Sequence, residues 1–309
     1  MIRPATFCAA LVAAFLSCAS VGNAQTGARR QNRIRVETDV VTVPATVLDA
    51  SGKPVADLPQ SAFKLYENGV EQKIDRFETQ TNRPLELALM VDSSLSTTKD
   101  TRFEDEATAR FIRLVVRPGD LLSVFEFSDD VYELSNFSSD IRKLEASALT
   151  ISPGAGTSLY DAIVLGSQQL GRLPKDRRRV IVLVTDAGET TSKSTFEMAR
   201  REAIQSEALL YTILIRPVKT ESGRNTAGEH AIETIIDSTG GAVYYPDELS
   251  QLNDMFEKIS RELRTQYLLS YYPTPKSKPG TYCSIELDVP GGNYTLHYRR
   301  GYFASGDEE

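Results

Sequence analysis

From residue 84 onward, short and nearly unbroken apolar runs alternate with stretches whose apolar residues recur every three or four positions. Residues 85–91 (LELALMV) have the continuous apolar character of a strand buried on both faces. Ala107, Phe111, Leu114 and Val115 then share one helical face, and residues 121–127 and 131–134 read as strands joined at Ser128, Asp129 and Asp130. Leu159, Ala162, Ile163 and Leu170 stand at helical spacing before a strand over 180–184. A helix over 195–206 precedes a strand over 209–215; Ile232, Ile235 and Ile236 mark another helix, ended by Gly240 and Gly241 before a short strand over 243–245. Leu249, Leu252, Met255, Phe256, Ile259 and Leu263 form the clearest amphipathic stripe in the chain. This alternation predicts an α/β fold with a doubly wound, mostly parallel sheet and helices on both faces.

The flanks have a different texture. Residues 33–48 (RIRVETDVVTVPATVL), 63–66 and 74–77 are strand-like, the last two lying around an Asn68-Gly69 turn. After Arg264, β character returns over 267–272, 282–289 and 294–303. Neither flank has enough strands for a core of its own. The two are therefore expected to pair as a small all-β, Ig-like sandwich into which the α/β domain is inserted. The resulting organisation is a leader over 1–24, an N-terminal β region over 25–82, the α/β domain over 83–265 and a C-terminal β region over 266–309.

The leader is an address. Arg3 precedes an apolar run from Phe7 to Leu16, and small residues follow up to Ala24. That order predicts a secretory signal peptide cleaved after Ala24, with a run too short to anchor the protein permanently. The mature chain is expected in the periplasm or outside the cell, with no transmembrane segment. Lipid anchoring at Cys18 is the weaker alternative, because Phe15 stands where that signal prefers Leu. Cleavage leaves Cys283 as the one cysteine, which precludes an internal disulfide; its strand-like surroundings favour a buried small hydrophobe.

Composition narrows the chemistry. Of 309 residues, 41% are hydrophobic and 25% charged, a globular balance, and the net charge of -7 disfavours non-specific nucleic-acid binding. Two His and three Cys nearly exclude a zinc site of imidazoles and thiolates. The residues 177–179, all Arg, read as a solvated lead-in to the next strand, and Ser128 to Asp130 as a hairpin turn more readily than a cation site. His230 and His297 are far apart with no nucleophile elbow near either, which disfavours a Ser-His-Asp hydrolase. Gly154 and Gly156 lack the ending of a phosphate-binding loop.

The informative residues follow the first buried strand. Asp92, Ser94 and Ser96 form a D-x-S-x-S spacing at its carboxyl end, where doubly wound sheets bind ligands. Residues two apart in an extended loop point the same way, so a carboxylate and two hydroxyls can converge. Thr157, in the loop 154–161 (GAGTSLYD), and Asp186, in the loop 184–188 (VTDAG), offer a further hydroxyl and carboxylate. Such a set is all hard oxygen, suited to Mg²⁺, Mn²⁺ or Ca²⁺. A phosphoryl-accepting aspartate of the haloacid-dehalogenase kind needs a second Asp where Ser94 stands.

In this order the five residues resemble the von Willebrand factor type A domain, whose metal-ion-dependent adhesion site has the pattern D-x-S-x-S, then T, then D. The flanking segments 154–163 (GAGTSLYDAI) and 180–189 (VIVLVTDAGE) are similar to that family too. Segments 57–78, 266–273 and 296–304 are similar to an exported bacterial family related to it, sometimes called the acidobacterial type. The resemblance implies a non-enzymatic, secreted adhesion or scaffold module. Asp92, Ser94, Ser96, Thr157 and Asp186 would hold a divalent cation, Mg²⁺ first and Mn²⁺ or Ca²⁺ as alternatives, and a partner protein would present an Asp or Glu to it. The competing readings are a structural envelope component in which the metal only holds the loops and, more remotely, a metal-assisted hydrolase. By analogy with related adhesion domains, binding would move the helix over 249–263.

Overall fold

A computed structural model describes residues 40–79, 83–94, 101–174, 176–215 and 226–305. The predicted leader and linker, the start of the first predicted strand and Ser96 lie outside the described residues.

Four short strands come first: β1 (Val41–Leu48), β2 (Lys64–Glu67), β3 (Val70–Gln72) and β4 (Arg76–Glu78). The α/β region follows as β5 (Leu85–Asp92), α1 (Thr101–Val115), β6 (Leu121–Phe127), β7 (Val131–Ser138), α2 (Ile141–Ala148), α3 (Leu159–Gly171), β8 (Arg178–Thr185), α4 (Phe196–Gln205), β9 (Leu209–Leu214), α5 (Thr226–Thr239), β10 (Ala242–Tyr244) and α6 (Leu252–Arg264). The chain closes with β11 (Tyr267–Tyr271), β12 (Tyr282–Asp288), β13 (Thr295–Tyr298) and β14 (Gly301–Phe303).

The central sheet has the order β10-β9-β8-β5-β6-β7, parallel except for β7, which turns back antiparallel to β6. Every residue of β5, β8 and β9 is buried, as the continuous apolar runs require of strands covered on both faces. The side chains of α1, α2 and α6 pack one face, where Phe111 and Phe256 stack with ring centroids 4.4 Å apart. Those of α3, α4 and α5 pack the other. Strand order reverses between β5 and its neighbours β6 and β8, which puts the crevice beside the end of β5. The sequence reading missed α2, a short helix that buries only Leu144 and Ala148. It is started by Asp140, whose carboxylate accepts the Arg142 and Lys143 amides at 3.1 and 3.2 Å.

Strands from the two flanks pair with one another. One sheet runs β13-β1-β11-β4 and the other β14-β12-β2-β3, so each mixes N- and C-terminal strands. Val43, Val47, Leu65, Leu269, Ile285 and Leu287 share the core between them. Two details differ from expectation. The strand paired with β2 across Asn68 and Gly69 is β3, and the 74–77 segment enters the other sheet as β4 beside β11. Asn68 and Gly69 both have positive φ (50° and 78°), the conformation a two-residue hairpin turn demands. The 294–303 run is also not one strand. It breaks at Arg299 and Arg300, sending β13 to one sheet and β14 to the other.

The break has a cause in the neighbouring helices. The Arg300 amide donates to the Ser238 carbonyl at 3.2 Å, and Arg299 reaches Glu207 at 3.1 Å. Gly240 closes α5 with φ +90°, where an added Cβ would lie 2.1 Å from the Arg299 nitrogen. This junction sits at the amino ends of the central strands, since Gly240 and Gly241 lead into β10. Arg178 and Arg179, expected to be solvated, are instead buried at the start of β8. Their guanidinium groups donate to the carbonyls of Arg83, Leu263, Leu173 and Ser206, which makes burial tolerable. Burial, with Arg264 nearby, pulls the Arg178 pKa down to about 10. Cys283 is buried, as its apolar surroundings suggested. Among the described residues no helix is long and apolar enough to cross a membrane.

Candidate metal centre

Three loops meet beyond the carboxyl end of β5. The first begins with Asp92, the last residue of the strand and 2% exposed. The Thr185 hydroxyl donates to its Oδ2 at 2.6 Å, and the Ser94 amide donates to its Oδ1 at 3.0 Å. The Ser94 hydroxyl also hydrogen-bonds the carboxylate. Burial pushes the Asp92 carboxyl up to about 6; the donors from Thr185 and Ser94 oppose the rise, and the charge of Asp186 adds to it.

The second loop lies against the first through backbone. The Gly154 amide donates to the Ser93 carbonyl at 3.0 Å, and Ser94 and Gly154 form a parallel bridge. Only glycine fits at 154, because a Cβ there would stand 2.2 Å from the Ser128 Oγ. The turn between β6 and β7 holds the same loop from the other side: Asp129 Oδ2 accepts the Ala155 amide at 2.9 Å, and the Ser128 carbonyl accepts the Ser158 amide at 2.7 Å. Thr157 is thereby placed just before α3, with 4% of its surface exposed.

The third loop follows β8. Ala187 takes a left-handed φ of 64°, and its amide donates to the Thr185 Oγ1 at 3.1 Å. Backbone strain in a non-glycine residue at this point is a feature more common at functional sites than elsewhere. The Gly188 amide donates to Asp186 Oδ1 at 2.9 Å. Thr190 and Thr157 then exchange two bonds: the Thr190 amide donates to the Thr157 carbonyl and the Thr157 amide to the Thr190 Oγ1, both at 2.9 Å. Glu189 caps α3, accepting the Tyr160 amide at 3.1 Å.

Of the five predicted ligand positions, Asp92, Ser94, Thr157 and Asp186 therefore lie on loops in direct contact, and Ser96 lies outside the described residues. Whether these residues suit a cation can be judged at Gly188. A Cβ there would stand 3.0 Å from Asp186 Oδ1 and 3.1 Å from Thr157 Oγ1, so the glycine leaves open a cradle that both oxygens border. Among the described residues no three His, Cys, Asp or Glu side chains cluster in a way that could hold a metal. The donors here are hydroxyls as much as carboxylates, and all are hard oxygen, which fits a hard divalent cation.

Sequence reasoning did not single out Thr185, Gly188 or Thr190, and it read Asp129 as part of a hairpin turn. Thr185 reads only as a neighbour of Asp186 in the predicted loop 184–188, and Thr190 as a polar residue beyond it. Their partners are Asp92, 93 positions away, and Thr157, 33 positions away, and no local pattern encodes either contact.

A family model described as the von Willebrand factor type A domain matches residues 87–189. No curated protein sequence matches the chain. Among solved structures, the chain is similar to a von Willebrand factor type A protein from Catenulispora acidiphila, with a TM-score of 0.50, 11% identity, and 79% of this chain and 74% of that one covered. It is also similar to BatB from Bacteroides thetaiotaomicron (TM-score 0.46, 16% identity, 59% of this chain and 100% of that one covered). A third is the vWF domain of the type V pili tip protein Mfa5 from Porphyromonas gingivalis (TM-score 0.48, 10% identity, 59% and 96% covered). The family match spans β5 to β8 and the loops bearing Asp92, Thr157 and Asp186, and the sheet around them is doubly wound with helices on both faces. Over residues 87–189, about a third of its length, this chain carries a von Willebrand factor type A domain.

Proposed function

We propose that the chain is an exported, metal-dependent protein-binding module. In this reading Asp92, Ser94, Ser96, Thr157 and Asp186 hold a divalent cation, Mg²⁺ first among the candidates, and a partner protein contributes an Asp or Glu side chain to it. The observation that carries the reading is the cradle at Gly188, bordered by Asp186 Oδ1 and Thr157 Oγ1 and joined through Thr185 to the buried Asp92. Two carboxylates at most balance a dication, and hydroxyl ligands add no charge. A bound cation would therefore retain affinity for an incoming carboxylate. Because the acid comes from the partner, cation and partner should strengthen each other's binding.

The test is a thermal-shift titration of the mature chain with Mg²⁺, Mn²⁺ and Ca²⁺, comparing wild type with Asp186→Ala. At a hundredfold excess over the dissociation constant, a cation bound to the folded state adds about 2.7 kcal/mol. Wild type should gain that stability and Asp186→Ala should not. Capture of an envelope protein that is lost on chelation and in Asp92→Ala supports adhesion. Capture that survives both makes the protein a structural component whose loops a cation at most holds in place.

A further inference from the structure

The loop bearing Asp186 is bracketed by two threonines, and each of them reaches a different neighbouring loop. Thr185, one residue before Asp186, donates its hydroxyl to Asp92 Oδ2 at 2.6 Å. The same oxygen accepts the Ala187 amide at 3.1 Å, so one hydroxyl links the Asp92 carboxylate to the backbone turn that presents Asp186. Thr190, four residues after Asp186, accepts the Thr157 amide on its Oγ1 and returns its own amide to the Thr157 carbonyl.

We infer that Thr185 and Thr190 are positioning residues that set the register of the three loops, Thr185 fixing Asp92 against Asp186 and Thr190 fixing Thr157 against Asp186. The inference rests on the metal-binding reading for its functional consequence, but the register itself belongs to the protein alone. The physical argument is one of freedom. A carboxylate on a strand end and a hydroxyl on a loop can each rotate, and a cation holds them well only if their oxygens are already in place. Thr185 is wholly buried and occupies both of its hydroxyl's roles, donor and acceptor, in that task. Thr190 is exposed, so its side chain contributes little packing and its hydroxyl bond to Thr157 is its main attachment. The left-handed φ of Ala187 needs such support, because an alanine does not hold that conformation unaided.

The experiment measures two things on the full mature chain carrying Thr185→Val, Thr185→Ser, Thr190→Val or no change. The first is the dissociation constant of Mn²⁺ by electron paramagnetic resonance, with Mg²⁺ as competitor. Each valine variant should weaken cation binding about 10–100-fold, and Thr185→Ser, which keeps the hydroxyl, should stay within a few-fold of wild type. The second is amide hydrogen exchange without any cation. Thr185→Val should speed exchange at Ala187, and Thr190→Val at Thr157, while amides in β5 and β9 keep wild-type protection. Wild type that binds no cation overturns the metal-binding reading, and the exchange data then decide the register by themselves. Valine variants with wild-type cation affinity overturn the inference while leaving that reading in place, and unchanged exchange at Ala187 and Thr157 overturns it outright. Should Thr185→Val fail to fold, the exposed Thr190→Val and the conservative Thr185→Ser still carry the comparison.

Discussion

Glu262, near the end of α6, faces His297 of β13 across 3.0 Å, Oε2 to Nδ1, and this contact joins the last helix of the central domain to the β module. The carboxylate is 4% exposed and also accepts the Tyr244 hydroxyl from β10 and the Tyr211 hydroxyl, at 3.4 Å, from β9. Burial, reinforced by the charge of Glu262, drives both phenols well above their ordinary pKa, so they stay protonated as donors. One buried side chain thus gathers groups from three strands of two different sheets.

Removing that acceptor should be costly. Glu262→Ala removes the acceptor shared by the Tyr211 and Tyr244 hydroxyls and is expected to lower stability by about 2–4 kcal/mol in urea denaturation. Glu262→Gln, which keeps an acceptor oxygen, should lose less than half as much. Near-wild-type stability of Glu262→Ala would show that the junction is held by apolar packing alone.

Gly240→Ala tests the same junction sterically. The new Cβ would meet the backbone of Tyr298 and Arg299, and the position has φ +90°. A loss of at least about 2 kcal/mol is expected, because neither backbone can yield as a flexible side chain would. The cation response should be unaffected, since the junction sits at the amino ends of the strands and the candidate site at their carboxyl ends.

Gly188→Ala should do the reverse. Its φ lies outside the left-handed region, so alanine is conformationally acceptable, but its methyl group would crowd Asp186 Oδ1 and Thr157 Oγ1. Thermal melting without cation should move by no more than about 0.5 kcal/mol in equivalent stability. The shift produced by saturating Mn²⁺ should shrink or vanish. An unchanged shift would place any cation away from this cradle.

Asp92→Asn separates stability from binding. The wild-type carboxylate is buried close to Asp186, a like charge, and both effects disfavour its ionised form. Asparagine removes that penalty and keeps one oxygen for the Thr185 hydroxyl, but its NH2 group cannot accept the Ser94 amide as Oδ1 does. The two effects oppose, so without cation the variant should stay within about 1 kcal/mol of wild type, and its stabilisation by Mg²⁺ should be lost. A much larger destabilisation in Asp92→Asn would mean that the carboxylate is essential to the fold itself.

Glu86 gives a pH test far from the site. Burial raises its pKa, opposed by Arg177, whose Nε stands 3.0 Å away, and by Arg179. With the folded value above the unfolded one, its contribution is fully present below the unfolded glutamate pKa and is lost as pH rises through the folded value. As pH rises above the unfolded glutamate pKa, denaturation midpoints should therefore fall less steeply in Glu86→Gln than in wild type. A variant with the wild-type slope would assign the acid-range dependence to other groups.

Much of the architecture was legible because periodicity is local. The continuous apolar run of β5, the alternation in β12 and the stripe from Leu252 to Leu263 each record which faces water must leave, and each is found where the pattern put it. The D-x-S-x-S spacing followed by Thr157 and Asp186 was legible for the same reason, as residue types at the ends of predicted elements. Tertiary structure decided the rest. Arg178 and Arg179 look like solvated charge until the carbonyls that satisfy them are brought alongside. The 294–303 run looks like one strand until α5 takes the Arg300 amide and splits it between sheets. Thr185 looks like one more loop residue until Asp92 is brought beside it at the end of the neighbouring strand. In each case the deciding energy is the satisfaction of a polar group by a partner distant in sequence, and a one-dimensional pattern of apolar and polar positions holds no record of it.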